Sequence, residues 1–107
     1  MKNYINLFDD SGWASTNEYP EGTLMKTLRD TDGGRTILLK CDRGFKMGSH
    51  SHVVTEQHLV VSGSYTSDGK TYSAGSYQMY SPHEEHGPFE SEEGALILVV
   101  WDPIKTI

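Results

Sequence analysis

A run of regularly spaced glycine, histidine and glutamate residues constrains this chain more than any other feature. It reads Gly44-x5-His50-x-His52-x3-Glu56-x6-Gly63, and His86 follows eleven residues after Gly75. Strand side chains alternate faces, so residues of equal parity share a surface. Strands over 50–52 and 56–62, joined by a short bend, would place both histidines and the carboxylate in one cavity. With a further imidazole from another strand, this set suits a divalent metal.

The donor types define what such a metal site can do. Imidazole and carboxylate donors lie roughly 2.0 to 2.2 Å from a zinc-like ion, so they need a rigid backbone, which favours strands over loops. Three neutral imidazoles and one carboxylate leave a divalent transition metal (Fe, Mn, Ni or Zn) with positive charge and open positions. Glu56 is also a candidate catalytic base. His58 shares its parity, so it is either a catalytic residue in the pocket or a core histidine bonded to a neighbour.

Length and charge limit the remaining choices. The 107 residues predict one domain over 1–107, and a net charge of −6 with only nine Lys and Arg argues against a nucleic-acid partner. No apolar run is long enough to cross a membrane, and polar residues interrupt the N-terminus. We therefore expect a soluble, cytoplasmic protein without a membrane partner. The single cysteine cannot form an internal disulfide and is compatible with a reducing compartment.

Turn residues divide the chain into short strands. Asp32-Gly33-Gly34 and Ser67-Asp68-Gly69-Lys70 are turn signals, and Asp68-Gly69 suits a tight hairpin with positive φ at both central residues. The pattern predicts strands near 22–30, 35–42, 47–52, 56–63, 70–73, 76–80, 85–89 and 95–101. No segment shows sustained helical periodicity. The fold class predicted is all-β, a jelly roll or small barrel, with residues 1–21 as an extension that is either an extra strand or a short helix.

Several other residues have two readings. Cys41 is either a reactive group near the metal or a small buried hydrophobe. His83 either gates the cavity or lies in a solvated loop. Tyr77, Met79 and Trp101 either line an apolar pocket or pack in the core. Positions expected to face inward carry no lysine or arginine clamp, which favours a small neutral or enolisable substrate over a sugar phosphate.

The run from Gly44 to Gly63 resembles the first signature of the cupin superfamily, Gly-x5-His-x-His-x3 or x4-Glu-x6-Gly, with every specified position filled. The second signature, Gly-x5-Pro-x-Gly-x2-His-x3-Asn, is met in part. Gly75 and His86 keep its spacing, whereas the proline is one position late, at Pro82. With the same displacement Glu84 takes the place of its glycine, and Glu90 stands where asparagine is usual.

The segment from 80 to 94 is also similar to the cupin domain of ChrR-type anti-sigma factors, whose sigma-binding module has no counterpart in these residues. The resemblance implies a cupin-type double-stranded β-helix of two antiparallel sheets, RmlC-like. His50, His52, Glu56 and His86 are then expected to bind one metal inside it. It also implies a homodimer, with 1–21 at the interface.

Cupins include dioxygenases, isomerases, decarboxylases, sensors and storage proteins, so the family leaves the reaction open. Three functions follow. The first is a metal-dependent enzyme of dioxygenase type acting on a small enolisable or phenolic compound, with isomerase and lyase chemistry still open. The second is a zinc-binding sensor or regulatory ligand-binding domain. The third is a non-catalytic structural cupin whose metal stabilises the fold. The first two need a small molecule as substrate or ligand.

Overall fold

The computed structural model of the protein describes residues 4–102, which form nine strands and, within that range, no helix. The strands are β1 (Ala14–Ser15), β2 (Leu24–Thr31), β3 (Gly34–Cys41), β4 (Phe45–Met47), β5 (Thr55–Ser67), β6 (Lys70–Ser73), β7 (Tyr77–Tyr80), β8 (Phe89–Ser91) and β9 (Ala95–Asp102). Every strand pairing is antiparallel. The predicted all-β jelly-roll class is confirmed. Nothing in the described range forms a helix capable of crossing a membrane.

Strand β5 organises the fold because it is long enough to belong to two sheets. It has 13 residues. Its first part pairs with β9 on one edge and with β7 on the other, and its last part pairs with β6 and β8. The strand order is β1-β2-β3-β9-β5-β8-β4. Because one strand passes from sheet to sheet, the assembly curls around a single interior.

A β-bulge in β5 changes which residues face that interior. Val60 pairs with Ile97 and Ser62 with Leu96, so one extra residue is inserted between them. Side chains at 56, 58 and 60 are buried before the bulge, whereas those at 65 and 67 are buried after it. Gly63 follows the bulge at φ 73°, and a Cβ there would lie 2.2 Å from the Gly94 carbonyl oxygen. Only glycine permits this contact.

The hairpin predicted at Asp68-Gly69 is confirmed, and the turn signal at Asp32-Gly33 also forms a tight hairpin. Asp68 and Gly69 have φ of 52° and 79° and connect β5 to β6. Asp32 and Gly33 have φ of 55° and 79° and connect β2 to β3. Positive φ at both central residues gives the twist that adjacent antiparallel strands need. These turns fix the registers of both strand pairs.

The apolar core lies between the curled layers of sheet. Its most buried members are Ile37 on β3, Val60 on β5 and Val99 on β9, each at most 1% exposed. The core cluster also contains Leu39, Cys41, Phe45, Tyr65, Phe89, Ala95, Ile97 and Trp101. Burying one large apolar side chain stabilises the fold by about 1.5 to 3 kcal/mol.

The N-terminal segment lies along the edge of the β2 side of the sheet. Ala14 and Ser15 pair with β2, which confirms the extra-strand alternative for that part of 1–21. The Lys26 ammonium lies 4.7 Å from the Trp13 ring centroid and donates to the Asp9 carbonyl oxygen at 2.8 Å. Residues 1–3 of the predicted extension and 103–107 of the predicted domain lie outside the described residues.

Candidate metal centre

Glu56 enters the interior from the start of β5. Its strand lies between β9 and β7, so the alternation of side chains sends Glu56, His58 and Val60 inward. Glu56 is 2% exposed and His58 is 8% exposed. A buried carboxylate is costly unless it is paired. Its partners therefore define the site.

The two histidines before β5 do not lie on a strand, contrary to the prediction of a strand over 47–52. The strand ends at Met47, and residues 48–54 form a loop except for a single bridge at His50. The strand predicted at 85–89 is likewise displaced to Phe89–Ser91. Pro88 explains both the early end of β4 and the late start of β8, because it lacks an N–H and cannot extend the β4–β8 ladder beyond the Met47–Phe89 pair.

A pair of backbone hydrogen bonds replaces the missing strands. The His50 N–H donates to the His86 carbonyl at 2.9 Å, and the His86 N–H donates to the His50 carbonyl at 2.8 Å. This bridge brings the two imidazole rings to a centroid separation of 4.3 Å. The rigidity expected from strands is thus supplied by one closed bridge between two loops.

The four sequence-predicted ligands converge. One donor atom from each of His50, His52, Glu56 and His86 lies within 4.8 Å of all the others, and we call these residues the ligand cluster. His52 Nε2 lies 2.9 Å from Glu56 Oε1, and His86 Nε2 lies 3.2 Å from Glu56 Oε2. Glu56 and His86 are buried, while His50 and His52 are half-buried. The cluster therefore has a closed side and an open side.

The hydrogen bonds of two rings show which nitrogens are free to bind a metal. His86 Nδ1 lies 3.1 Å from the Glu84 carbonyl and His50 Nδ1 lies 3.3 Å from the Gly48 carbonyl. A carbonyl only accepts, so in each ring Nδ1 donates and the neutral ring has its lone pair on Nε2. Buried His86 Nε2 has no hydrogen-bond partner among residues 4–102. Its lone pair faces the Glu56 carboxylate, and the two groups repel each other. A cation bound between them would remove this repulsion.

Glu56 is negatively charged in this setting. Burial opposes ionisation, but the hydrogen bonds from His58 and Trp101 and the electrostatic influence of the His58 and His86 rings lower the pKa of Glu56 below its ordinary value. The Trp101 Nε1–H donates to Glu56 Oε1 at 2.5 Å, and His58 Nε2 contacts Glu56 Oε2. The carboxylate is therefore available as an anionic ligand.

Trp101 is a functional contact that the sequence reasoning assigned only to packing or an apolar pocket. Its indole reaches Glu56 because the two residues are paired across β5 and β9. The sequence could have pointed to this contact, because the N–H of a buried Trp needs a hydrogen-bond partner. The partner itself is set by the pairing of β5 with β9, two strands that are distant in the chain.

A chain of polar side chains continues behind His58. His58 Nδ1 lies 3.3 Å from the Tyr65 hydroxyl, and the hydroxyls of Tyr65 and Tyr80 each donate to Gln78 Oε1 at 2.6 Å. The Tyr80 ring stacks on His86 at 4.4 Å. His58 therefore has the contacts expected of a core histidine that is bonded to its neighbours. Its bond to Glu56 also links it to the ligand cluster. Tyr65 was not predicted to face the interior, because the bulge in β5 shifts the alternation of buried side chains from even to odd positions.

The other singled-out residues lie outside the cluster. Cys41 is buried, and desolvation raises the pKa of its thiol to about 12, so it stays protonated. His83 is exposed on a loop at φ 68°, as the solvated reading predicted. Tyr77 and Met79 are 57% and 58% exposed, so the pocket-lining and core readings are both wrong for them. Their strand, β7, points them outward.

Two spaces adjoin the ligand cluster. The inner cavity lies inside the barrel and has a volume of about 30 Å³. It is lined by Tyr19, Leu39, Cys41, Phe45, Met47, His50, Glu56, His58, Tyr65, Phe89, Ile97 and Val99. The outer groove measures about 570 Å³ and is lined by Glu18, Tyr19, Asp30, Gly33, Gly34, Arg35, Met47, His50, His52, Val54 and Trp101. Tyr19, Met47 and His50 border both.

Arg35 corrects the expectation that no arginine faces the site. It lines the outer groove, with its guanidinium 5.2 Å from the Trp101 ring centroid. Two hydrogen bonds of 2.7 Å join it to the Glu18 carboxylate. Because Glu18 neutralises it, Arg35 offers no free positive charge to an anionic substrate.

Comparisons with known proteins agree with this architecture. A profile of the ChrR Cupin-like domain family matches residues 2–105. No curated protein matches the sequence. Among solved structures, an acetylacetone dioxygenase from Acinetobacter johnsonii is similar with a TM-score of 0.77 and 17% identity, over 94% of this chain and 74% of that one.

Two further structures are similar. One is a chain in the complex of Rhodobacter sphaeroides SigE with the anti-sigma ChrR, with a TM-score of 0.73 and 21% identity over 89% of this chain, which spans 50% of that one. The other is an RmlC-like cupin from Shewanella frigidimarina, with a TM-score of 0.69 and 20% identity over 88% of this chain and 96% of that one. Identities this low establish a shared fold and leave activity undecided.

Proposed function

The chain belongs to the ChrR cupin-like domain family, and we propose that it is a metal-dependent enzyme of dioxygenase type. Its substrate is a small enolisable or phenolic compound. The observation that carries the proposal is the ligand cluster, in which four donor atoms lie within 4.8 Å of one another. The half-buried histidines border the outer groove, so a bound ion is reachable by substrate.

The donor set fits a divalent transition metal such as Fe, Mn, Ni or Zn. His50, His52 and His86 offer neutral imidazole nitrogens and Glu56 offers a carboxylate. The unpartnered Nε2 of His86 is the clearest sign of fit, since a buried polar atom normally finds a partner. When bound, such an ion polarises an enolate or phenolate oxygen, and iron in addition supports chemistry with dioxygen.

The side chains of the site have distinct roles in this proposal. Glu56 is the candidate catalytic base, and His58 Nε2 contacts its Oε2. His58 orients that carboxylate, and the Tyr65 hydroxyl in turn holds the ring of His58 from its other nitrogen. Trp101 fixes Oε1. The carboxylate is therefore held at both oxygens before substrate arrives.

The outer groove supports the substrate class. Its one cationic side chain within residues 4–102 is Arg35, which is neutralised by Glu18, and Asp30 also lines the groove. Such a surface suits a small neutral molecule with an acidic C–H or O–H. The structurally similar protein from Acinetobacter johnsonii is named as an acetylacetone dioxygenase, and acetylacetone belongs to this chemical class.

Oxygen consumption tests the proposed activity. The protein is loaded anaerobically with iron and supplied with β-diketones, catechols and related enols. We expect oxygen uptake with at least one of them, lost in Glu56→Ala and in His86→Ala. His83→Ala is the matched control because that imidazole is exposed on a neighbouring loop. No uptake across the panel overturns the proposal.

A second candidate function is a zinc-binding regulatory domain that senses a small ligand. The family match and the likeness to a chain in the SigE–ChrR complex favour it. Tight, equimolar zinc with no exchangeable coordination position, together with the absence of turnover, supports this function. Turnover of any small substrate argues against it.

We also propose a homodimer. Three exposed apolar side chains lie within five residues of one another in the N-terminal sequence, with Tyr4 79%, Ile5 42% and Phe8 69% exposed. Pairing of two copies would remove this surface from water. Sedimentation of the protein and of a Tyr4→Ser/Phe8→Ser variant tests it, with a dimer expected only for the former. A monomeric parent protein contradicts the proposal.

A further inference from the structure

The two spaces beside the ligand cluster differ greatly in size. The inner cavity has about 30 Å³ and the outer groove about 570 Å³ by the same measure. On that measure a cavity holds one water-sized molecule when it offers roughly 10 to 15 Å³. The inner cavity therefore has room for a molecule of two or three heavy atoms. A diketone or a catechol fits only in the groove.

The surface of the inner cavity is also chemically distinct. Apolar side chains line most of it, among them Leu39, Phe45, Ile97 and Val99. Its charged and imidazole groups are largely engaged with one another, since Glu56 bonds to His58 and Trp101 and His58 also contacts Tyr65. A buried water normally makes about three hydrogen bonds, whereas small apolar cavities stay dry and take up xenon. The cavity thus favours a small apolar guest.

His50 connects the two spaces to the candidate metal centre. It belongs to the ligand cluster and borders both the cavity and the groove. Tyr19 and Met47 are the other shared lining residues, so they form the partition between the spaces. A guest in the cavity and a substrate in the groove would approach the cluster from different sides.

We propose that the inner cavity is a binding site for a small apolar molecule, which on the proposed function is dioxygen, while the organic substrate occupies the outer groove. The inference rests on the proposed function for the identity of the guest. The division of space itself rests on the volumes and linings. No bond is made or broken in the cavity.

Xenon tests the cavity independently of catalysis. Crystals of the zinc-loaded protein are exposed to xenon under pressure, and we expect one xenon atom between Leu39, Ile97 and Val99. Val99→Leu adds a methylene group inside the cavity and should abolish the xenon peak. Val100→Leu is the matched control, because the adjacent residue on β9 does not line the cavity. If Val99→Leu does not fold, Cys41→Val fills the same space.

The outcomes separate this inference from the proposed function. If xenon binds in the cavity but the iron form takes up no oxygen, the dioxygenase proposal is contradicted and the apolar binding site is supported. Oxygen uptake without xenon, or an ordered water in place of xenon, overturns this inference alone. In an active enzyme, Val99→Leu should raise the KM for dioxygen several-fold and leave the KM for the organic substrate unchanged. A parallel change in both KM values also overturns it.

Discussion

The ligand cluster and the apolar core border the same inner cavity, yet they are completed in opposite ways. In the core, Ile37, Val60 and Val99 are at most 1% exposed, and their burial is provided by neighbouring apolar side chains. In the cluster, the buried Nε2 of His86 lies 3.2 Å from a Glu56 oxygen without a hydrogen bond. Apolar neighbours therefore complete the core, whereas the cluster leaves a buried nitrogen without a hydrogen bond, as expected of a site that binds a cation.

Removing the central carboxylate should give the largest effect and test the cluster directly. We expect Glu56→Ala to lower metal affinity by more than about 100-fold, beyond the range typical of groups that only support ligands. The loss follows because the one anionic donor disappears. Competition with a chelator measures it, and Glu85→Ala, an exposed glutamate, is the control. Wild-type affinity in Glu56→Ala would remove the cluster from consideration as a metal site.

Truncating a core side chain should instead lower stability and leave metal affinity unchanged. Ile37→Ala leaves a cavity in the core and should lower the free energy of unfolding by about 2 to 5 kcal/mol. Metal affinity of the folded protein should not change, because Ile37 belongs to the core cluster and lies outside the ligand cluster. Urea unfolding measures the loss. Thr27→Ala, an exposed residue paired with Ile37, should change stability by no more than about 0.5 kcal/mol.

Replacing His58 should produce an intermediate effect, because this residue links cluster and core. His58→Gln removes the imidazole that orients Glu56 and contacts Tyr65. We expect metal affinity to fall by about 10- to 100-fold, as is usual when a ligand loses its supporting contact. His83→Gln is the control. A loss as large as that of Glu56→Ala would make His58 a ligand, and no loss would leave it a packing residue.

Weakening the Glu18–Arg35 ion pair of the outer groove should have the smallest effect on stability. Glu18→Gln weakens the pair with Arg35, and we expect a cost of at most about 1 kcal/mol because the pair is partly solvated. The Arg35 hydrogen bond lowers the pKa of Glu18, so this stabilisation is present above the ordinary carboxyl pKa. It is lost as pH falls through the lowered value. Thermal melts of both proteins should therefore converge in acid, and a constant difference contradicts the ion-pair role.

The predictable parts of the fold were those with local causes. Asp32-Gly33 forms the expected turn and Asp68-Gly69 the expected hairpin, because Asp and Gly tolerate positive φ. Most strands were predicted to within a few residues, since apolar and β-branched runs between turns are visible in the sequence. The prediction of a strand over 47–52 was wrong because a β-ladder extends only as far as its partner strand. Here the partner strand is β8, and Pro88 ends the ladder.

The donor set, its spacing and the alternation that sends Glu56 and His58 inward could all be predicted from the sequence, because residue identity and strand periodicity are local. How the donors meet depends on the three-dimensional structure. The His50–His86 bridge, the register that sets Trp101 against Glu56 and the bulge that turns Tyr65 inward all depend on segments distant in the chain. The cavity and the groove arise in the same way. Sheet curvature and register are set by the sum of many pairings, and no short stretch of residues encodes that sum.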